Sequence, residues 1–257
     1  MKYLFIIILF ISSSCTVVSC PDCIKDGKQY GWSDGNFLEQ WDDHYQCALS
    51  YIDGQCYENA LKSLDKAIQK RDGDQWQARS YGMHFVNYFP HREKGVCYFE
   101  TGRYELARQE LLYSLSKEPS AKARYYLDQT RKFLLSDEPV SSPEIVIHHP
   151  TLVSQKTDKL ITKHYPVMLL GTVLDHQYIA DIHICEIPFF MDKTKQKVNI
   201  KKPLFLAEGN HNITISARNL MGGMKETNIV LSVDLSGPVI TLSSVQSGIS
   251  GYVYDTS

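Results

Sequence analysis

The chain has 257 residues, long enough for two domains, with 43% hydrophobic and 22% charged residues, the proportions of ordinary globular protein. Lys and Arg number 27 against 29 Asp and Glu, a formal net charge of -2 that becomes -3 once residues 1–19, whose only charge is Lys2, are set aside. Without a basic excess, nucleic acid and anionic membrane surfaces are poor partners.

Lys2 is a minimal positive n-region, and Tyr3 to Ile11 is an apolar run the size of a signal-peptide core, well short of the roughly 20 residues that span a bilayer. Val17-Val18-Ser19-Cys20 then resembles a bacterial lipobox, which implies cleavage before Cys20, lipidation of its thiol and a membrane tether. The competing reading is an ordinary secretory signal with incidental cysteines. Pro21 follows Cys20 where an inner-membrane retention signal would place Asp, so a Gram-negative source would favour the outer membrane. Of seven cysteines, Cys15 and Cys20 fall in this segment. The odd remainder favours Cys47, Cys56 and Cys97 as small apolar residues at helix contacts, with a Cys47–Cys56 bridge as the alternative. Cys20 and Cys23 have CxxC spacing but no second pair for a zinc site.

Residues 20–40 are polar and glycine-containing, without a sustained period, and read as a tether. From Trp41, apolar residues at Tyr45, Leu49 and Ile52, a break at Gly54, and Tyr57, Ala60, Leu64, Ala67 and Ile68 predict two helices. In residues 75–89, Tyr81, Phe85, Tyr88 and Phe89 fall mostly on one helical face beside Met83. That predicts an extra helical stretch packed on the hairpins, with a partner-binding surface as the sharper alternative. Residues 90–119 predict two more helices around a turn at Glu100-Thr101-Gly102-Arg103: Gly95 and Ala107 permit close approach, Gly102 suits the reversal and Pro119 ends the second helix. Ser120 is a candidate N-cap for a closing helix over 121–135.

Gly95, Tyr98, Gly102, Tyr104, Ala107 and Pro119 resemble a tetratricopeptide (TPR) repeat in order and spacing, although the family's early apolar positions hold His91 and Lys94. Ala48, Tyr51, Tyr57, Ala60, Leu64 and Ala67 form a weaker first copy. Ala60 and Ala107 are 47 residues apart against a family period of about 34, which marks an insertion. The resemblance implies a concave face on the first helix of each pair, built from Tyr45, Leu49 and Ile52, then Arg92, Val96 and Phe99, that binds a protein partner.

Three prolines and three serines in residues 136–150 break the helical pattern, and 136–142 reads as a stiff linker. Beyond it, alternating apolar residues at Ile145 and Ile147, Ile182 and Ile184, Leu204 and Leu206, Ile213 and Ile215, and Ile229, Leu231 and Val233 predict about seven short strands in a sandwich. Gly171-Thr172-Val173-Leu174-Asp175 and the run Leu206 to Ala217 resemble bacterial immunoglobulin-like surface domains. An echo from Pro238 through Asp255 predicts the truncated start of a second sandwich over 237–257, and hence a longer protein.

The expected architecture is therefore multidomain, α then β: signal peptide 1–19, tether 20–40, TPR-like hairpins with a capping helix over 41–135, linker 136–142, an immunoglobulin-like sandwich over 143–236 and an incomplete one after it. No catalytic signature, phosphate loop or cofactor motif is present. His148-His149 reads as solvated, and His183 with Cys185 is a ligand pair lacking a matching acid or thiol. These features point to a lipid-anchored scaffold at the cell envelope that binds a protein partner, and to no enzyme within these residues. The alternatives are the recruitment arm of an exported hydrolase whose catalytic domain follows residue 257, or a carbohydrate or cell-wall adhesin using Tyr178, Phe189 and Phe190.

Overall fold

A computed structural model describes residues 23–33, 37–149, 159–236, 239–245 and 248–254. The signal segment and Cys20 lie outside the described residues. The chain divides into two compact units, residues 1–130 and 131–257.

The first unit opens with a hairpin of β1 (Cys23–Lys25) and β2 (Lys28–Tyr30), where the sequence reads as a tether. Helices α1 (Trp41–Asp53) and α2 (Tyr57–Lys70) follow. The Asp43 carboxylate accepts hydrogen bonds from the Leu38 and Gln40 N–H groups, satisfying donors at the start of α1. Tyr45, Ala48 and Tyr51 of α1 meet Ala60, Leu61, Leu64 and Ala67 of α2 in the core. Gly54 has a helical φ of -81°; the left-handed residue at this turn is Gln55. Gly54 is needed for space, since a Cβ there would stand 2.5 Å from the Tyr30 ring.

The same turn carries a covalent tie. Cys56 is disulfide-bonded to Cys23 of β1, which corrects both the reading of Cys56 as a free packing residue and its pairing with Cys47. Cys47 is itself disulfide-bonded. Cys97 is free and buried, as the packing argument expects, and burial pushes its thiol up to about 12.

Residues 75–89 form no helix. They make an antiparallel hairpin of β3 (Gln75–Arg79) and β4 (Phe85–Tyr88). Helices α3 (Pro90–Glu100), α4 (Tyr104–Lys117) and α5 (Ala121–Leu134) complete the helical part. Pro90 takes the first helical position, where its missing N–H costs nothing. Gly102 turns the chain with φ +73°, and the Ser120 hydroxyl accepts the Ala123 N–H. Gly95 lies against Leu111, where an added Cβ would stand 2.6 Å from Cγ of a fully buried side chain. Gly95→Ala should therefore lower stability by about 1–3 kcal/mol, overpacking outweighing the roughly 1 kcal/mol of helix propensity gained. Urea unfolding measures it; an unchanged midpoint would show that Leu111 yields freely.

The second unit corrects the expected sandwich. Strands β5 (Glu144–His149), β6 (Lys159–Thr162), β7 (Val167–Ile184), β8 (Ile187–Pro188), β9 (Lys195–Leu204), β10 (Gly209–Asn219) and β11 (Met224–Val233) form one sheet in the order β5-β7-β10-β11-β6, with β8 and β9 also paired to β7. A sandwich needs two sheets that pack without sharing a hydrogen-bond ladder. Here the 18-residue β7 carries the ladder through: its first half pairs with β5 and β9, its second half with β8 and β10. The result is a single curled, largely antiparallel sheet, a half-barrel around one core of Val167, Leu169, Val173, Ile182, Ile184, Ile200, Ile213, Ile215, Leu231, Val233 and their neighbours. The alternation read from the sequence does select the buried face. Strands β12 (Val239–Val245) and β13 (Gly248–Tyr254) form a separate two-stranded sheet.

The bend of β7 is held by buried polar groups. The Asp175 carboxylate accepts from the Ser141 hydroxyl (2.7 Å), the Gln177 N–H (2.9 Å) and the Asn219 amide (2.9 Å), and Asn219 in turn accepts the Gly223 N–H (2.7 Å). The Gln177 amide accepts from the Ser141 N–H and donates to the Pro139 carbonyl.

Candidate functional site

The β3–β4 hairpin divides its side chains sharply. Ala78 and Tyr88, both fully buried, and Val86 face the helical core. Tyr88 packs edge-on against Trp41 (4.6 Å between centroids) and Tyr45 (4.9 Å), and its hydroxyl donates to the Arg71 carbonyl. Away from the core, Trp76 (46% exposed), Tyr81 (70%), Met83 (84%) and Phe85 (49%) lie in solvent. Four large apolar side chains within ten residues are left where burial would each contribute about 1.5–3 kcal/mol.

The tip is shaped by Gly82 at φ +52° and by hydrogen bonds from the Ser80 N–H to the His84 carbonyl and from the His84 N–H to the Tyr81 carbonyl. Tyr81 stacks on His84, and the Ser80 hydroxyl is hydrogen-bonded to the buried Asp42. At the base, Arg71 reaches the Gln75 side chain and the Arg79 carbonyl while lying over the Trp41 ring. Trp76 rests edge-on against the buried Phe89, whose ring is covered by the Arg92 guanidinium at 4.0 Å. The hairpin is thus a braced platform with an apolar outer surface.

Below it lies a charged network. The Asp74 carboxylate, buried, accepts the His91 and Arg92 N–H groups and so satisfies two orphan donors at the start of α3. Burial nevertheless pushes its pKa up. The His91 ring lies between Glu110 (Nδ1 to Oε2, 2.6 Å) and Asp72 (Nε2 to Oδ1, 2.8 Å). Lys94 bridges Glu110 and Asp65, and the Tyr113 hydroxyl donates to Asp72. The buried Glu93 is paired with Arg92 and Lys122.

Of the residues assigned to a concave face, Tyr45 and Val96 are buried in the core, and the Tyr45 hydroxyl accepts the Phe89 N–H. Leu49 lines a shallow cleft of about 240 Å³ with Lys28, Tyr30 and Trp32. Ile52 packs partly buried on the core of α1 and α2, and Phe99 partly buried on Leu111 and Leu127. Arg92 covers Phe89 and adjoins the hairpin. Tyr98 lies under Arg103, and Ala107 is fully buried.

No family model matches the chain, and no curated protein matches it in sequence.

In the second unit His183 and Cys185 do share a cleft, of about 560 Å³, with Glu186, Asn212, Thr214, Ser216 and Glu226. Cys185 and Glu186 form its end as a two-residue turn with both φ values positive. Among the described residues no group of three or more His, Cys, Asp or Glu is placed to hold a metal ion. His148 is hydrogen-bonded to Thr172. Tyr178 and Phe189 are half-buried and Phe190 is exposed. No helix among the described residues is long and apolar enough to cross a membrane.

Proposed function

We propose that this chain is an exported scaffold that docks a protein partner at the cell envelope through the outer face of the β3–β4 hairpin, with Arg92 at its margin. The observation that carries the reading is the exposed set Trp76, Tyr81, Met83 and Phe85 on a hairpin braced from below. Aromatic residues, Met and Arg are the types enriched at protein interfaces, and a rigid platform loses little entropy on binding.

Export is supported by the Cys23–Cys56 disulfide, a bond that persists in oxidising compartments. A lipid anchor on Cys20 rests on the lipobox resemblance. The Cys20 sulfur cannot carry both a diacylglyceryl thioether and a disulfide, so mass spectrometry of Cys20 tests the anchor directly. An acylated Cys20 is expected; Cys20 bonded to Cys47 would make the protein secreted and unanchored.

Docking is tested by photocrosslinking residues placed at Tyr81 and Met83 in intact cells. They should trap one protein, and Phe85→Ala should weaken that complex by about 30-fold, the size of an aromatic hot spot. Absence of adducts from the hairpin, with adducts from control sites on α5, would refute the reading.

A further inference from the structure

The geometry points to a pH latch beneath the docking hairpin: we propose that protonated His91 clamps the loop that begins β3, so that partner binding weakens as the imidazole loses its proton. The inference rests on the docking reading above and adds its regulation.

The ring geometry carries it. Glu110 and Asp72 stand 2.6 and 2.8 Å from the two ring nitrogens, and ionised carboxylates only accept hydrogen bonds. Both nitrogens must therefore donate, and only the imidazolium has two donors. The groups facing the ring come from three elements and a loop. Asp65 of α2 acts through Lys94 of α3; Asp72 and Asp74 come from the loop between α2 and β3; Glu110, Tyr113 and Lys117 come from α4, with the Tyr113 ring 4.3 Å away between centroids and the Lys117 Nζ 5.1 Å from the centre of the Tyr113 ring. Carboxylates outnumber the lysines here, which favours the protonated ring. Burial would lower the pKa of His91, but the hydrogen bonds to Glu110 and Asp72 prevail and raise it.

Loss of the proton leaves one nitrogen lone pair facing a carboxylate oxygen. The two sides differ in what they can do next. Glu110 is held by Lys94 at 3.1 Å and its side chain is 19% exposed; Asp72 also accepts from the Tyr113 hydroxyl and the Gly73 N–H, but its side chain is 62% exposed, so water can replace the ring. Asp72 is the side that releases. It lies between Arg71, which braces Gln75 and Arg79, and Asp74, which caps α3, so its release loosens the base of the hairpin.

The test uses the full chain without a partner. The His91 ring is titrated by NMR, and amide exchange of residues 75–88 is compared at pH 6 and pH 9 after correction for intrinsic rates. The midpoint should lie above the ordinary histidine value of about 6.5. Hairpin protection should fall about tenfold at the higher pH, the loss expected for one charge-assisted hydrogen bond, while α1 holds. Asp72→Asn, at an exposed position that folding tolerates, should move the midpoint down and remove most of the pH dependence; His91→Gln should abolish it. An ordinary or lowered midpoint, or a raised one with unchanged hairpin protection, overturns the latch and leaves the docking reading standing. A working latch without hairpin crosslinks would sink the docking reading alone.

Discussion

Replacing Cys23 and Cys56 together by Ser should lower the unfolding free energy of the first unit by about 3–4 kcal/mol, the chain-entropy value for a loop of this length. The bridge joins residues 33 apart in sequence and closes the β1–β2 hairpin onto the turn between α1 and α2. Among the described residues, the noncovalent ties at that junction include the Tyr30 ring on Gly54, the Lys25 side chain on that of Gln55 and the Gly31 N–H on the Ser50 hydroxyl. Without the bond, β1 and β2 should fray, since a two-stranded hairpin alone is marginal in water. Urea unfolding under non-reducing conditions measures the difference, and reduction of the wild type should lower its stability at least as far. A double variant as stable as the parent would show that the noncovalent contacts suffice.

Asp175→Ala should cost the second unit a comparable amount, about 3 kcal/mol. It strips an acceptor from the Ser141 hydroxyl, the Gln177 N–H and the Asn219 amide, and an unsatisfied buried donor costs about 1–3 kcal/mol. Burial alone would raise the pKa of Asp175, but these hydrogen bonds outweigh it and hold the carboxyl below its ordinary value. A depressed carboxylate pKa contributes stability that is complete above the unfolded value, about 3.9, and is lost as pH falls through the folded one. The acid-dependent loss of stability in the second unit should therefore be smaller in the variant than in wild type. In the first unit Asp72 and Glu110 are depressed in the same sense, whereas His91 is raised, so its contribution is complete below about pH 6.5 and declines as pH rises through the folded value. Asp72, Glu110 and His91 together therefore contribute most between about pH 4.5 and 6.5, while Asp74, raised by burial, takes stability away as pH rises through its folded value.

The five helices were legible because their apolar residues recur at helical spacing and because Gly102 and Pro119 mark real stops. The β3–β4 hairpin was not, and the reason is specific. Tyr81, Phe85, Tyr88 and Phe89 are spaced by four, three and one, which mimics a helical face, yet Tyr88 points to the core while Tyr81 and Phe85 point to solvent. Gly82 was the available signal for a turn. The site was therefore visible as a cluster of aromatic residues and misread in its geometry. Its bracing by Arg71, Asp72 and Asp74 was not visible at all, because short polar loop residues carry no periodicity. Tyr45 and Val96 illustrate a related limit: on a helix, one residue of register separates a groove from a core. For the sheet, alternation identified the buried side chains, but it does not show that residues 171–175 and 182–184 belong to one strand, β7, bent at Asp175. The pairing of Cys23 with Cys56 depends on a distance in space that spacing along the chain does not encode.

The shared strand also sets a timetable. The second half of β7 needs β10 as its partner, with His183 opposite Ser216, and β6 pairs with β11, Lys159 opposite Val230. The β5–β7–β9 half can pair once Leu204 has been made, but the β10–β11–β6 half cannot close until residues beyond Val230 have been synthesised, so the second unit stays open until most of it has emerged. The sheet of the second unit therefore closes in a late step, when its last strands join the ladder already begun on β7.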